Sequence, residues 1–380
     1  MNFDPSNHPS NHPLHVVVYT DSAGIGGAEI SLGHLVATVP REIQITVVGV
    51  STLVVNAIAD RRTQTHRVVL PDRGINSFLQ HLLTFNQLHP DIIHFNLCTP
   101  WAGAIGLFAA LLLPQVRIVR VDQLPLRTTD AITLGRTRCL SLRVDAHVAV
   151  GEASARRMED FYALGRNSVI SIPNGVPPLE MGQVTASTTP PKGITVGSIG
   201  RLDAMKGFDV LIQALAQVEG VLAVILGEGD QRPALEELAK QLGVVDRIKF
   251  LGWVDQPQVY LPNFDGVVIP SRSEGFPLVM VEAMLAARPI IATRVGSMPE
   301  AVVDQQTGLL VEKNDVAGLA KALQTLRDDR ELRIHLGQQA YQLAIAQFTA
   351  KAMTEKYITL WNQVLAAPRT PRFWVPRPQD

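Results

Sequence analysis

The chain holds 380 residues, 46% of them hydrophobic and 18% charged, which is longer than one core usually grows and sets two domains as the expectation. A formal net charge of −1 gives no electrostatic case for nucleic acid as a general partner. Its two cysteines, Cys98 and Cys139, are too few for a disulfide framework or a zinc site and fit a reducing, cytoplasmic setting.

Taken in order, residues 1–13, with the near-repeat Ser-Asn-His-Pro, read as a disordered leader. Their polar composition carries no secretory signal pattern, and metal binding by their histidines is the weaker reading. A strand is expected over 15–20, followed by the turn Gly24-Ile25-Gly26-Gly27-Ala28-Glu29 and an amphipathic helix through Ala37. Such a turn lets the backbone approach an anion closely; on the plainer reading the glycines only make a tight bend. Glu29 stands where a dinucleotide fingerprint needs its third glycine, which weighs against a nicotinamide cofactor. Strands over 44–50, 65–70, 91–96, 116–121 and 146–150 alternate with helices over 76–88, 101–113 and 153–164. That alternation argues for an α/β fold with a parallel sheet covered on both faces. The apolar run 101–113 ends at Pro114 and is too short to span a bilayer. It reads as a buried helix, with an interfacial membrane helix as the alternative.

Residues 177–192 contain four prolines and little apolar periodicity, and read as an interdomain linker. A second alternating block begins with a strand over 193–199. Gly200-Arg201-Leu202-Asp203-Ala204-Met205-Lys206-Gly207 comes next, then a helix over 208–217. Arg201 and Lys206 flank this turn, so two cations and a helix N-terminus converge, an arrangement suited to a diphosphate. The Walker order Gly-Lys-Ser/Thr is absent, which argues against an ordinary P-loop; solvated basic residues are the bland reading. A strand over 221–226 leads to Gly227-Glu228-Gly229-Asp230, a weak signal without a third glycine.

The apolar run 266–270 is a short buried strand running into Ser271-Arg272-Ser273-Glu274-Gly275-Phe276-Pro277-Leu278. Pro277 is expected as the first residue of a helix over 278–287, where its missing N–H costs nothing. Glu274 in the loop and Glu282 about one turn into the helix could hold two parts of one elongated polar ligand, because carboxylates accept strong hydrogen bonds from sugar hydroxyls. A chance pair of surface and helix-face acids is the alternative. Strands over 289–293 and 308–311 and helices over 317–326, 330–346 and 350–365 complete the block, and the Pro/Arg-rich tail 367–380 is expected to be irregular.

These stretches, in this order, resemble the retaining nucleotide-sugar glycosyltransferases of the GT-B fold, family-4 type (glycosyl transferases group 1), and the resemblance is strongest over 174–311. It implies two Rossmann-like doubly wound domains facing across a cleft. The first would cover 14–176, completed by a terminal helix at about 350–366, and the second, at 193–349, would bind the donor. It implies that Arg201 and Lys206 bind the donor pyrophosphate, that Glu274 contacts the sugar and that Glu282 contacts the ribose. Gly275, Phe276, Pro277 and Leu278 would form the donor loop, with Gly26 and Gly27 against the phosphates. Trp253 and Val254 would lie in the segment whose backbone reads the nucleobase edge. After the strand ending at Val121 the family carries a histidine that approaches the sugar; here the position is Asp122, which could still bond a hydroxyl or merely cap a loop. The implied activity is transfer of a hexosyl unit from a nucleoside diphosphate sugar to an unidentified glycan, lipid-linked or small-molecule acceptor. Retention and front-face attack follow from the same resemblance, and no nucleophile is assigned. No Asp-x-Asp occurs, so neither metal nor other cofactor is expected; a helix terminus and two cations can replace a divalent ion. A catalytically degenerate nucleotide-sugar-binding protein and a GT-B phosphorylase or epimerase stay as alternatives. The basic residues of the first half are all arginine, clustered over 117–166; peripheral contact with an anionic membrane stands beside an ordinary solvated face.

Overall fold

A computed structural model describes residues 13–178 and 193–368; most of the expected leader, linker and tail lies outside the described residues. The chain divides into two compact units, one made of residues up to Gly175 together with those from Ala350 onward, the other of Val176–Thr349.

The first unit is built on strands β1 (His15–Thr20), β2 (Gln44–Gly49), β3 (His66–Val69), β4 (Ile92–Leu97), β5 (Arg117–Asp122), β6 (Ala146–Ala149) and β7 (Val169–Ser171). They form one sheet in the order β3-β2-β1-β4-β5-β6-β7, parallel at every pairing. Strands β1, β4 and β5 are buried along their whole length, as a parallel sheet covered on both faces requires. The crossovers are α1 (Gly27–Thr38), α2 (Thr52–Ala59), α3 (Gly74–Leu88), α4 (Ala104–Leu111), α5 (Ala131–Ser141) and α6 (Glu152–Tyr162). One core joins Val16, Val18, Leu32, Val36 and Ile58 to Met353, Tyr357 and Trp361 from the end of the chain. A second core, around Tyr19, Phe85, Phe95 and Leu107, lies under α3 and α4.

The second unit repeats the plan with β8 (Ile194–Ile199), β9 (Val221–Leu226), β10 (Ile248–Gly252), β11 (Gly266–Ile269), β12 (Ile290–Thr293) and β13 (Gly308–Val311) in the order β10-β9-β8-β11-β12-β13. Its helices are α7 (Phe208–Leu215), α8 (Arg232–Gln241), α9 (Leu278–Leu285), α10 (Val316–Asp328) and α11 (Arg330–Gln347). The final helix, α12 (Ala350–Ala366), returns to the first unit. Strand order reverses between β1 and β4 and again between β8 and β11, and at such points the loops beyond the carboxyl ends diverge and leave room for a ligand.

Three local expectations change. The helix expected over 101–113 is shorter, because Gly103 takes φ +66 and Trp101 to Gly103 form a turn before α4. Pro277 is the cap preceding α9, extended at ψ 135, and is not its first helical residue. Helices α2, α5 and α8 were not expected: α2 is short and rich in Val, Ile and Thr, which blurs helical periodicity, and the other two carry few apolar residues.

Candidate donor-binding site

The second unit's switch point gathers the loops that follow β8, β11 and β12. Beyond β8 the chain makes a short 3-10 turn, Ala204–Lys206, capped by Asp203, whose Oδ1 accepts from the Met205 amide at 2.9 Å. Gly207 ends that turn at φ +67 and opens α7. A Cβ there would lie 2.1 Å from the Pro270 carbonyl oxygen, so only glycine lets the turn press against the end of β11. From the other side Gly296, at φ +56, leaves no room for a Cβ against the Glu274 carbonyl, and the Ser297 amide donates to the Gly275 oxygen at 3.0 Å.

The packing brings Lys206 and Glu274 together: Nζ lies 2.6 Å from Oε1. The Ser271 hydroxyl donates to the same oxygen at 2.7 Å. Ser271 is buried, Glu274 is 8% exposed, and among the described residues no hydrogen bond or ion pair engages its second carboxylate oxygen. Arg201 is placed differently. Its side chain is 76% exposed and its Nε bonds Asp203 Oδ2 at 2.6 Å, so it stands on the same turn as Lys206 without joining the Lys206–Glu274 pair.

Arg272 was passed over in the sequence, yet it ties the two loops. Its guanidinium donates to Ala204 O at 2.7 Å, to both oxygens of Asp209 at 2.8 and 2.6 Å, and to Asn314 Oδ1 at 2.7 Å. Its amide donates to Met205 O at 2.7 Å. The bidentate match to Asp209 holds the guanidinium in one orientation. The partners are 42 to 68 residues away in sequence, so spacing could not have revealed them.

Glu282 lies in α9, partly exposed. Among the described residues its carboxylate has no hydrogen-bond or ion-pair partner, and burial pushes its pKa up to about 7. Phe276 is 2% exposed with its ring against Phe348, centroids 5.1 Å apart. It and the buried Leu278 are therefore core side chains, so any contact this stretch makes with a ligand comes through its backbone. Gly275 is buried as well; at the start of α9 the Met280 amide donates to Pro277 O at 3.2 Å, while the Leu278 and Val279 amides lack intrahelical partners, as at any helix start. Beyond β10, Trp253 is 70% exposed, its indole N–H donating to Asp255 Oδ1 at 3.1 Å, and Val254 is half-buried.

In the first unit, Gly26 and Gly27 are exposed at the start of α1, and a Cβ on Gly27 would meet nothing within 4 Å. The Gly26 amide is held by Glu29 Oε2 at 2.9 Å. A buried relay supports this turn: Ser31 Oγ to Asn174 Oδ1 at 2.7 Å, Asn174 Nδ2 to Gln123 Oε1 at 3.0 Å, Gln123 Nε2 to Asn96 Oδ1 at 2.8 Å, and Asn96 Nδ2 to Ala28 O at 3.0 Å. Asp122 does not open onto a ligand. It is 1% exposed, 3.3 Å from the buried Arg120, and accepts from the Tyr162 hydroxyl at 2.6 Å. Arg120 also bonds Ser141 Oγ at 3.0 Å and the Pro100 carbonyl. The sequence reading of Asp122 as a sugar-facing acid is corrected to a buried ion pair.

Residues 184–343 match the family model described as glycosyl transferases group 1. The lipopolysaccharide core biosynthesis glycosyltransferase LpsE of Rhizobium meliloti is 34% identical over 172 residues, covering 45% of this chain and 51% of that protein. The D-inositol 3-phosphate glycosyltransferase of Nocardia farcinica is 34% identical over 244 residues, covering 57% and 53%. The chain thus spans about half the length of the curated relatives it matches. Among solved structures, Anabaena HepE in complex with UDP aligns with TM-score 0.80 at 20% identity over 92% of this chain and 100% of that one. A glycosyltransferase from Rickettsia africae aligns with TM-score 0.79 at 15% identity over 94% and 100%. At these identities the likeness establishes the fold, which is GT-B.

Proposed function

We propose, from the match of residues 184–343 to the glycosyl transferases group 1 model, that the protein is a retaining glycosyltransferase that moves a hexosyl unit from a nucleoside diphosphate sugar to an acceptor. The observation that carries this reading is the Lys206–Glu274–Ser271 cluster at the switch point, with Arg201 on the same turn. The structural neighbour HepE was crystallised with UDP and with UDP-glucose, which supports this donor class.

The hard event is departure of the nucleoside diphosphate, whose charge grows as the glycosidic bond breaks. In our reading Lys206 shares its proton donors between Glu274 and the pyrophosphate, and Arg201 turns from Asp203 to the phosphate oxygens. The first amides of α9 add donors along the same helix dipole. Fixed donors aimed at developing charge lower the barrier without reorganisation. The open oxygen of Glu274 accepts from a sugar hydroxyl and so sets the sugar's position. Glu282, with no partner of its own, accepts from the ribose. Retention is read as front-face attack in which the leaving phosphate takes the acceptor proton, so no protein nucleophile is invoked.

The anion-facing groups in this scheme are cations and amides, so turnover is expected to be unchanged by chelator. The deciding experiment is a thermal-shift screen of nucleoside diphosphate sugars, followed by product analysis with the best donor. Stabilisation with slow donor hydrolysis and an α-configured product from an α-linked donor is expected. Tight binding without any turnover would turn the reading to a nucleotide-sugar sensor, and sugar phosphate or epimerised donor among the products would turn it to the phosphorylase or epimerase.

A further inference from the structure

We infer that the α3–α4–α5 layer of the first unit is a docking surface for an anionic lipid bilayer, a property that stands apart from the chemistry proposed for the second unit. An ordinary surface helix turns apolar residues inward and charges outward. Helix α3 departs from this. Its inward side, Ser77, His81 and Phe85, all buried, with Phe78, Leu82 and Leu88 packed against the same core, already seats it on the sheet. Its outward side carries Ile75, Leu79 and Leu83, 81%, 47% and 58% exposed and four residues apart, which puts them in one stripe. Among its 15 residues the sole titratable side chain is His81, which burial holds below its ordinary pKa.

Helix α4 packs beside α3 and extends the patch. It also has no charged residue, and it exposes Phe108 at 43% and Leu112, its cap, at 41%. The rings of Phe78 and Phe108 stack with centroids 5.4 Å apart, so the two helices present one continuous apolar ridge. Helix α5, packed on α4, adds Ile132 at 82% exposure. Exposed apolar residues scattered singly need no explanation, but a contiguous set on neighbouring helices marks an interaction surface.

Charge selects the occupant. Arg127 and Arg136 are exposed on and just before α5, and neither lies within salt-bridge distance of a carboxylate among the described residues. The acids near the layer are already engaged: Asp130 caps α5 through the Thr133 amide at 2.8 Å, and Asp72 pairs with Arg73 at 3.2 Å. Protruding aliphatic and aromatic side chains without charges, edged by arginines, match the acyl boundary and phosphate headgroups of an anionic leaflet. No described helix is long and apolar enough to cross a membrane, so the contact is one that lies on the bilayer.

The test is flotation of the full chain with vesicles of phosphatidylcholine alone and of phosphatidylcholine mixed with phosphatidylglycerol. Binding to the mixed vesicles, weakened by salt, is expected. Arg127→Gln and Arg136→Gln should each lower the partition coefficient by roughly fivefold, and the double variant Leu79→Glu, Leu83→Glu by roughly tenfold or more. All four side chains are exposed, so the variants should keep the wild-type circular dichroism and the same response to a nucleoside diphosphate sugar. Absence of vesicle binding in the wild type, or binding that these variants leave unchanged, overturns the inference. So does a wild-type dimer that Leu79→Glu, Leu83→Glu converts to monomer without any vesicle binding, which would assign the ridge to a second copy of the chain.

Discussion

Glu282 is a carboxyl that burial keeps protonated until about pH 7, against about 4.5 in the unfolded chain. With the folded value raised, its contribution to stability is complete below the unfolded pKa and is lost as pH rises through the folded one. Glu282→Gln, which mimics the neutral acid, should therefore be nearly neutral for melting temperature at pH 4.5 and increasingly stabilising by pH 8, by at most on the order of 3 kcal/mol. Binding should move the other way. A ribose hydroxyl needs an acceptor, so wild-type affinity for the donor is expected to rise from pH 5 to 8 while the Gln variant stays weak and flat; titration calorimetry across that range reads both. Lys206→Ala removes a charge donor and leaves Glu274 without its 2.6 Å partner. Turnover is expected to fall roughly 10²–10³-fold, and a double-mutant cycle with Glu274→Gln should be strongly non-additive. Asp122→Ala should act on the fold: stripping the carboxylate from buried Arg120 is expected to cost about 3–5 kcal/mol in a denaturation experiment. A fully stable but kinetically impaired Asp122→Ala protein would restore its reading as a sugar contact.

At the scale of elements, Arg272 makes the β8 and β11 loops one object. Arg272→Lys keeps the charge but loses the bidentate fork to Asp209, and so should lower kcat through a mispositioned Lys206 more than it lowers melting temperature. Gly207→Ala combines a left-handed backbone, on the order of 2 kcal/mol, with a collision against the Pro270 carbonyl, and should unfold the second unit at its central strands, β8 and β11. These elements also mark what sequence can and cannot disclose. Strands such as β1 and β4 stand within a residue of their expected bounds, because Val16-Val17-Val18 and Ile92-Ile93 are dense β-branched runs that start just after Pro13 and Pro90. Arg201, Lys206, Glu274 and Glu282 were legible as residue types suited to phosphates and hydroxyls. Their pairing was not: that Lys206 answers Glu274 while Arg201 answers Asp203 is decided by how Gly207 and Gly296 let three loops close. Asp122 was misjudged for the same reason, since Arg120, two residues earlier on β5, takes its charge in a way no one-dimensional pattern displays. The Gln123–Asn174 relay was invisible because amide side chains carry no periodic signature.

Across the whole molecule, the second unit is one continuous segment, whereas the first needs both ends of the chain. Helix α12 supplies Met353, Tyr357, Leu360, Trp361 and Val364 to the same core as β1 and β2. Trp361→Ala should therefore cost roughly 3–5 kcal/mol, and truncation after Thr349 should unfold the first unit. A fragment covering 176–349 should keep a cooperative melt, read by circular dichroism; failure to fold would show that the cores in it depend on the rest of the chain.

The salt link between Lys206 and Glu274 gives the resting protein a counter-ion of its own. A stray phosphate arriving alone must evict an acid that then has no hydroxyl to receive, so the abundant inorganic anions of a cell meet a surface that is already neutralised. On the proposed function, a donor that delivers phosphate and sugar in one molecule answers both groups together, and loading becomes an exchange of partners in place of a capture by bare charge.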